Sequence, residues 1–302
     1  MTDAAMPALP PKIETPFRRF VADFCESRIA VVGLAAFAVI FVAALLCGWI
    51  SPQNPYDLRQ LDIMDGKMKP GSVSSDGLKF WLGSDSQGRD MASAILYGLR
   101  TSFLVAVTSG FIAAAVGTTV GLVAAYYGGR VDTILMRAVD IKLSFPAILI
   151  ALILLAVLGQ GTDKIILALV IIQWAYYART VRGSALVERR REYIEAAHCL
   201  ALPTHRIIFR HLLPNCLPPL IVVGTMQVAR AIALEATLSF LGLGVPITEP
   251  SLGLLIANGY QYMLSGHYWI SFYPGIALLV TIVSINLVGD HLRDVLNPRL
   301  KR

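Results

Sequence analysis

The feature that most limits this chain is the run from Ile29 to Ile50, which contains no charged side chain. A bilayer core takes about 20 apolar residues as helix, because lipid gives an open backbone no hydrogen-bond partner. A secretory leader has a shorter apolar core and a small-residue cleavage site, so the run reads as a retained anchor. Five more apolar runs follow, over residues 101–126, 139–158, 165–178, 217–243 and 270–288. Only 15% of the 302 residues are charged, against about 25% in soluble domains. The expectation is an all-α membrane protein with six transmembrane helices.

Polar segments divide the chain further. Residues 1–28 form a Pro-containing tail with Lys12, Arg18, Arg19 and Arg28, and residues 51–100 form an exposed loop rich in Gly, Asp, Ser and Pro. Residues 101–290 hold five spans and a polar segment at 183–215, and residues 291–302 are a basic tail. Gly117 and Gly121 sit four apart, the spacing of a close helix contact. "YYGGRVD" at 126–132 reads as a tight turn, with glycines for the bend. Pro146 is expected to kink the third span without stopping it. The fourth span, 165–178, is the shortest. Cys25, Cys47, Cys199 and Cys216 follow no metal or disulfide spacing and read as free thiols.

Charge sets the orientation. An even number of crossings puts both termini on one side, together with Arg130, Arg137, Lys142 and the basic cluster between Arg179 and Arg210. Basic residues favour the cytoplasmic side, so both termini and the 183–215 segment are assigned there. The net charge of +6 then reflects cytoplasmic loops and not nucleic-acid binding.

The 183–215 segment contains "EYIEAAHCLALPTHRIIFRHLLPN". Tyr193, Ala196, Ala197 and Leu200 recur at helical spacing, Pro203 interrupts, and a second helical piece is expected to end at Pro214. Two short helices with a bend make a compact knob whose small Ala face admits close approach by another protein. Glu195 can meet a basic or amide partner there. The plainer alternative is an amphipathic loop lying on anionic lipid.

The pattern of Glu195-Ala196-Ala197, then Ala201, then Leu213-Pro214 resembles the cytoplasmic "EAA" loop of ABC-transporter permeases. Ala201 stands where that family usually has Gly, and His211 where it has Ile. "LGSDSQGRD" (82–90), "GLVAAYYGGRVD" (121–132), "LSFLGLG" (238–244) and "NLVGDHLRDVLNPRLK" (286–301) are similar, in the same order, to the dipeptide/oligopeptide/nickel branch. The resemblance implies a type I ABC importer permease (MetI-like) fold in the bacterial inner membrane. It also implies a second homologous permease, two ABC ATPase subunits gripping the loop as a coupling helix, and an extracytoplasmic substrate-binding protein. The chain shows no GxxxxGK[ST] phosphate loop. The resemblance therefore assigns ATP and Mg to the partner ATPases, with no cofactor and no catalysis on this chain.

Arg230 and Glu235 lie inside the fifth span. Charges at that depth are costly and should face protein or a water-filled path, so both are candidate translocation-path residues; bonding to neighbouring helices is the alternative. Five residues is about 140° of helix, poor geometry for a mutual ion pair. Glu195 and His198 make an E-x-x-H spacing, but the second pair and extra carboxylates of a carboxylate metal site are missing. Asp85, Arg89 and Asp90, with Gly83 and Gly88 beside them, read as a capped turn leading into a helix. An ion-driven secondary transporter would need intramembrane carboxylates and inverted repeats; only Glu235 lies well inside a span, and no repeat is evident. A membrane enzyme would need an intramembrane nucleophile or metal cluster, and none is found.

Overall fold

The computed structural model of the protein describes residues 15–296. Lys12 and the "NPRLK" end of the last motif lie outside the described residues. Ten α-helices of eight residues or more organise the described residues. Helix α1 (Pro16–Cys25) falls within the segment expected to be a polar tail. Phe20 and Phe24, one turn apart, give it an apolar edge, and the Phe24 ring meets His291 at 5.1 Å. Helix α2 (Arg28–Leu45) is the first span, capped by Ser27, whose hydroxyl accepts from the Ala30 amide.

Helix α3 (Met91–Tyr127) has 37 residues, about 55 Å of rise, and outruns a hydrocarbon core of about 30 Å. Its start lies ten residues before the expected span. Asp90 explains this: its carboxylate accepts from the Ser93 amide at 2.8 Å and the Ser93 hydroxyl at 2.7 Å, an N-cap that fixes where the helix begins. Gly128 and Gly129, at φ 67° and 52°, then turn the chain as expected.

The expected third span is two helices. Helix α4 (Gly129–Ser144) and helix α5 (Ala147–Leu158) meet at 87°. Phe145 is extended, as the residue before a proline prefers, so Pro146 stops the helix where a kink was expected. Helix α5 alone has 12 residues, about 18 Å, and is too short to cross. The described chain therefore holds five helices long and apolar enough to span, or six if the bent pair counts as one.

Helix α6 (Thr162–Glu188) is the expected short fourth span grown to 27 residues. It runs through Arg179 and Arg182 because α4 supplies their counter-charges. Arg179 pairs with Asp140 at 2.6 Å, and the Arg182 fork donates to Asp132 at 2.6 Å. Gly117 and Gly121 lie where expected, in the α3–α6 contact. A Cβ on them would sit 2.3 Å from the Trp174 carbonyl oxygen and 2.5 Å from that of Ala178.

Helix α7 (Glu192–Cys199) is followed by helix α8 (Thr204–Phe240). Helix α8 does not end at Pro214. A π segment over Ile207–Leu212 precedes that proline. In that register a carbonyl reaches the amide five residues on, as Ile208 accepts from Leu213, and Pro214 falls in the first turn of the regular α stretch that follows, where proline is tolerated. Helix α9 (Leu252–Tyr260) and helix α10 (Trp269–Leu296) complete the fold, with α10 reaching into the expected basic tail. The main core joins α3, α6, α8 and α10 through Phe103, Leu169, Ile232 and Ile285.

The 51–90 segment is anchored more firmly than an exposed loop. Gln53, Asp65, Ser84, Asp85, Arg89 and Asp90 are buried. Asp85 accepts from the Gln87 and Arg89 amides at 2.8 and 2.9 Å, and Arg89 donates to the Ile247 carbonyl at 3.1 Å. A Cβ at Gly88, φ 76°, would fall 2.0 Å from the Asp62 carbonyl oxygen, so only glycine fits. The expected capped turn is present and closes one end of the bundle.

Candidate functional site

At the opposite end, α7 hangs between α6 and α8. Ile194 and Ala197, three apart, face inward and pack on Ile207 with Tyr126 and Leu202 around them. Glu195, Ala196 and Leu200 then face out, with Leu200 73% exposed. The two alanines of the motif therefore have different tasks: Ala196 lies on the outer face and Ala197 under it. The His198 ring stacks on Tyr126 at 6.1 Å.

Tyr193 ties the knob to both long helices. Its hydroxyl donates to Glu188 at the end of α6 at 2.9 Å and accepts from the Asn215 amide of α8 at 3.0 Å. Asn215 also donates to the His211 carbonyl at 2.8 Å. Burial and the Glu188 carboxylate push the Tyr193 hydroxyl up to about 12, so it stays a donor at neutral pH. Sequence reading placed Tyr193 in the knob but not its two partners.

Ala201 closes α7 in a left-handed conformation, φ 51°. The Leu202 amide donates to the Ala197 carbonyl at 3.2 Å and the Ala201 amide to that of His198 at 2.9 Å. This paired pattern is the Schellman helix end, whose left-handed residue is usually glycine. The Gly-to-Ala departure therefore falls on the one residue of the turn that pays for a Cβ. Leu213 is half-buried and Pro214 exposed, both inside the continuous α8.

The second feature is a cavity of about 400 Å³ whose walls include Ala147, Gln173, Tyr176, Gln227 and Arg230. A neighbouring hollow of about 360 Å³ shares Tyr176, Gln227 and Arg230 and extends to Arg179. The Arg230 guanidinium lies over the Tyr176 ring, 5.4 Å from its centre. Gln173 is 1% exposed, and neither atom of its amide has a partner.

Of the two candidate path residues, the structure brings only Arg230 to this cavity. Glu235 is fully buried on the other side of α8, accepting from Ser102 of α3 at 2.7 Å and from Ser239 at 2.8 Å. The turn of helix between them points the two charges apart. Gln173 and Gln227 were passed over in the sequence because each sits alone in an apolar run. Their spacing of three from Tyr176 and Arg230 was the available signal.

Long apolar helices, a polar cavity among them and an exposed helical knob at one end define a multi-pass membrane permease subunit. The chain belongs to the family of binding-protein-dependent transport system inner membrane components, whose model matches residues 117–302. Residues 15–70 match the N-terminal transmembrane domain of oligopeptide transport permease C. A putative peptide transport system permease protein of Brucella suis is 39% identical, over 100% of this chain and 99% of its own length. The di/tripeptide transport system permease protein DppC of Pseudomonas aeruginosa is 34% identical, over 95% of this chain and 93% of that one. The glutathione transport system permease protein GsiD of Pectobacterium atrosepticum is 34% identical, over 99% and 96%. A solved structure of the inward-facing methionine ABC transporter MetNI matches with TM-score 0.55 and 22% identity, over 68% of this chain and 98% of that one. That likeness carries the fold.

Proposed function

We propose that this chain is one half of the translocation path of an ATP-driven importer for di- or oligopeptides or related small solutes such as glutathione. It works beside a second, homologous permease in a bacterial inner membrane, with both termini and the α7 knob cytoplasmic. Two ABC ATPase subunits hold ATP and Mg, and an extracytoplasmic binding protein delivers cargo to the capped end. Full-length similarity to peptide and glutathione permeases supports the cargo class.

One observation carries the mechanical reading: α7 presents Glu195, Ala196 and Leu200 outward while Tyr193 bonds it to both α6 and α8. A partner moving α7 pulls on the two helices whose facing sides line the cavity. Packed helices have discrete arrangements, so such a pull changes access in steps. Glu235, bonded to two serines and shut from the cavity, serves as a bolt between α3 and α8. That placement gives an ion-coupled secondary transporter no exposed intramembrane carboxylate at this position.

The test is Glu195→Lys in the assembled transporter. Cargo uptake is expected to be lost while membrane insertion and level stay unchanged. Normal ATP hydrolysis and normal uptake by that variant would remove the coupling role.

A further inference from the structure

Two pairs of side chains converge on the cavity from facing helices. Gln173 and Tyr176 stand three apart on α6, and Gln227 and Arg230 stand three apart on α8, so each pair shares one helix face. Among the described residues, no ion pair engages Arg230, whose guanidinium lies over the Tyr176 ring. Arg179, which borders the neighbouring hollow, is already matched by Asp140. Lys142 adds a second cation 4.8 Å from the same Tyr176 ring, its ammonium on the Ile172 carbonyl. Among the described residues, the positive charge of Arg230 at the cavity wall therefore has no carboxylate paired to it.

Two further features favour a negative guest. Helix α5 begins at the cavity wall with Ala147, behind Pro146, and has no side-chain cap. The Pro146 carbonyl accepts from Leu149 and Ile150, and the Ala147 and Ile148 amides have no acceptor within the helix. A broken helix that starts inside a membrane protein presents its positive end to whatever lies there. The Gln173 amide is buried with both atoms unpartnered; its Nε2 can donate to a carboxylate guest, while Oε1 needs a donor from elsewhere on the guest.

We propose that this cavity binds the carboxylate of the cargo, held by Arg230, by the amide groups of Gln173 and Gln227, and by the open N-terminus of α5. This rests on the peptide-importer reading. The guanidinium offers two parallel donors to a carboxylate, and it lies over the Tyr176 ring, 5.4 Å from its centre. The break at Pro146 acquires a purpose: it delivers a helix end to the site where a straight span would deliver none.

The test uses the complete transporter, with its ATPases, partner permease and cargo-loaded binding protein, in liposomes. Uptake of dialanine and of dialanine amide, which lacks the carboxylate, is compared. Arg230→Gln is expected to reduce dialanine uptake about tenfold or more and to change amide uptake by less than about twofold, since the amide has no charge-assisted bond to lose. Arg230→Lys, which keeps the charge, is expected to fall between. Gln173→Leu is expected to weaken dialanine selectively, by about fivefold. Equal losses for acid and amide, or no loss for either, overturn the proposal, with assembly of each variant checked by gel filtration. Wild-type complex that imports neither compound with ATP overturns the peptide reading and the inference with it.

Discussion

The two ends of helix α3 are built on opposite principles. At its start, the 51–90 segment buries Asp85, Arg89 and Asp90 and bonds each of them to backbone or hydroxyl groups, with Arg89 Nε and Asp90 Oδ1 left without a hydrogen-bond partner. At its far end, α7 exposes Glu195, Ala196 and Leu200 and hangs on a small apolar cluster and the Tyr193 bonds. A cap whose charges are buried resists movement, because opening it strands groups that need partners. A knob held by a few surface bonds can be gripped and shifted at little cost. In the proposed mechanism, the contrast separates a fixed end from a moving one.

The largest expected effect tests the fixed end. Arg89→Ala leaves Asp85 buried beside an empty space and frees the Ile247 carbonyl. It should cost about 3–5 kcal/mol, seen as a large fall in melting temperature of the purified protein. A loss under about 1 kcal/mol would mean that solvent reaches this end freely.

Tyr193→Phe tests the moving end. It removes one donated and one accepted bond at a cost of about 1 kcal/mol each. The complex should still assemble, but more ATP should be consumed per cargo molecule imported. An unchanged ratio would relieve Tyr193 of any part in transmission.

Ala201→Gly works in the opposite direction. Releasing the left-handed Cβ should stabilise the α7 turn by about 1 kcal/mol, measured as slower amide exchange in α7. Faster exchange would contradict the helix-end geometry.

The smallest effect is on acidity. Burial raises the Asp85 and Asp90 carboxyls above their ordinary range. A carboxyl raised on folding binds its proton more tightly in the folded state, so stability falls as pH rises through the raised value. Acidification toward about pH 4 should therefore slow exchange at 83–90, after correction for intrinsic rates. Loosening at 83–90 on acidification would reverse the sign.

Much of this was legible in the residues. Apolar runs located the spans, Gly117 and Gly121 marked a close helix contact, though not its partner α6, and the Gly83–Asp90 stretch read as a capped turn. The prolines were misread in both directions, and for one reason. Pro146 follows an extended residue and stops its helix, whereas Pro214 follows a π segment that has already shifted the hydrogen-bond register. Hydrogen-bond register is a property of the folded backbone, and residue type alone does not carry it. Helix α6 outgrew its apolar run because Asp132 and Asp140, about 40 to 50 residues earlier, neutralise its arginines. Such pairings are long-range and invisible to a local window. Arg230 was singled out for being costly in lipid, but its companions Gln173 and Gln227 carry no charge and gave no such alarm.

The central claim is that α7 is the handle an ATPase grips. A photo-reactive benzoylphenylalanine in place of Ala196, on the outer face of α7, tests it directly in the intact membrane. Illumination should yield one adduct with the mass of this chain plus an ATPase subunit. Adducts to lipid alone, in membranes where the transporter remains assembled, would contradict the account.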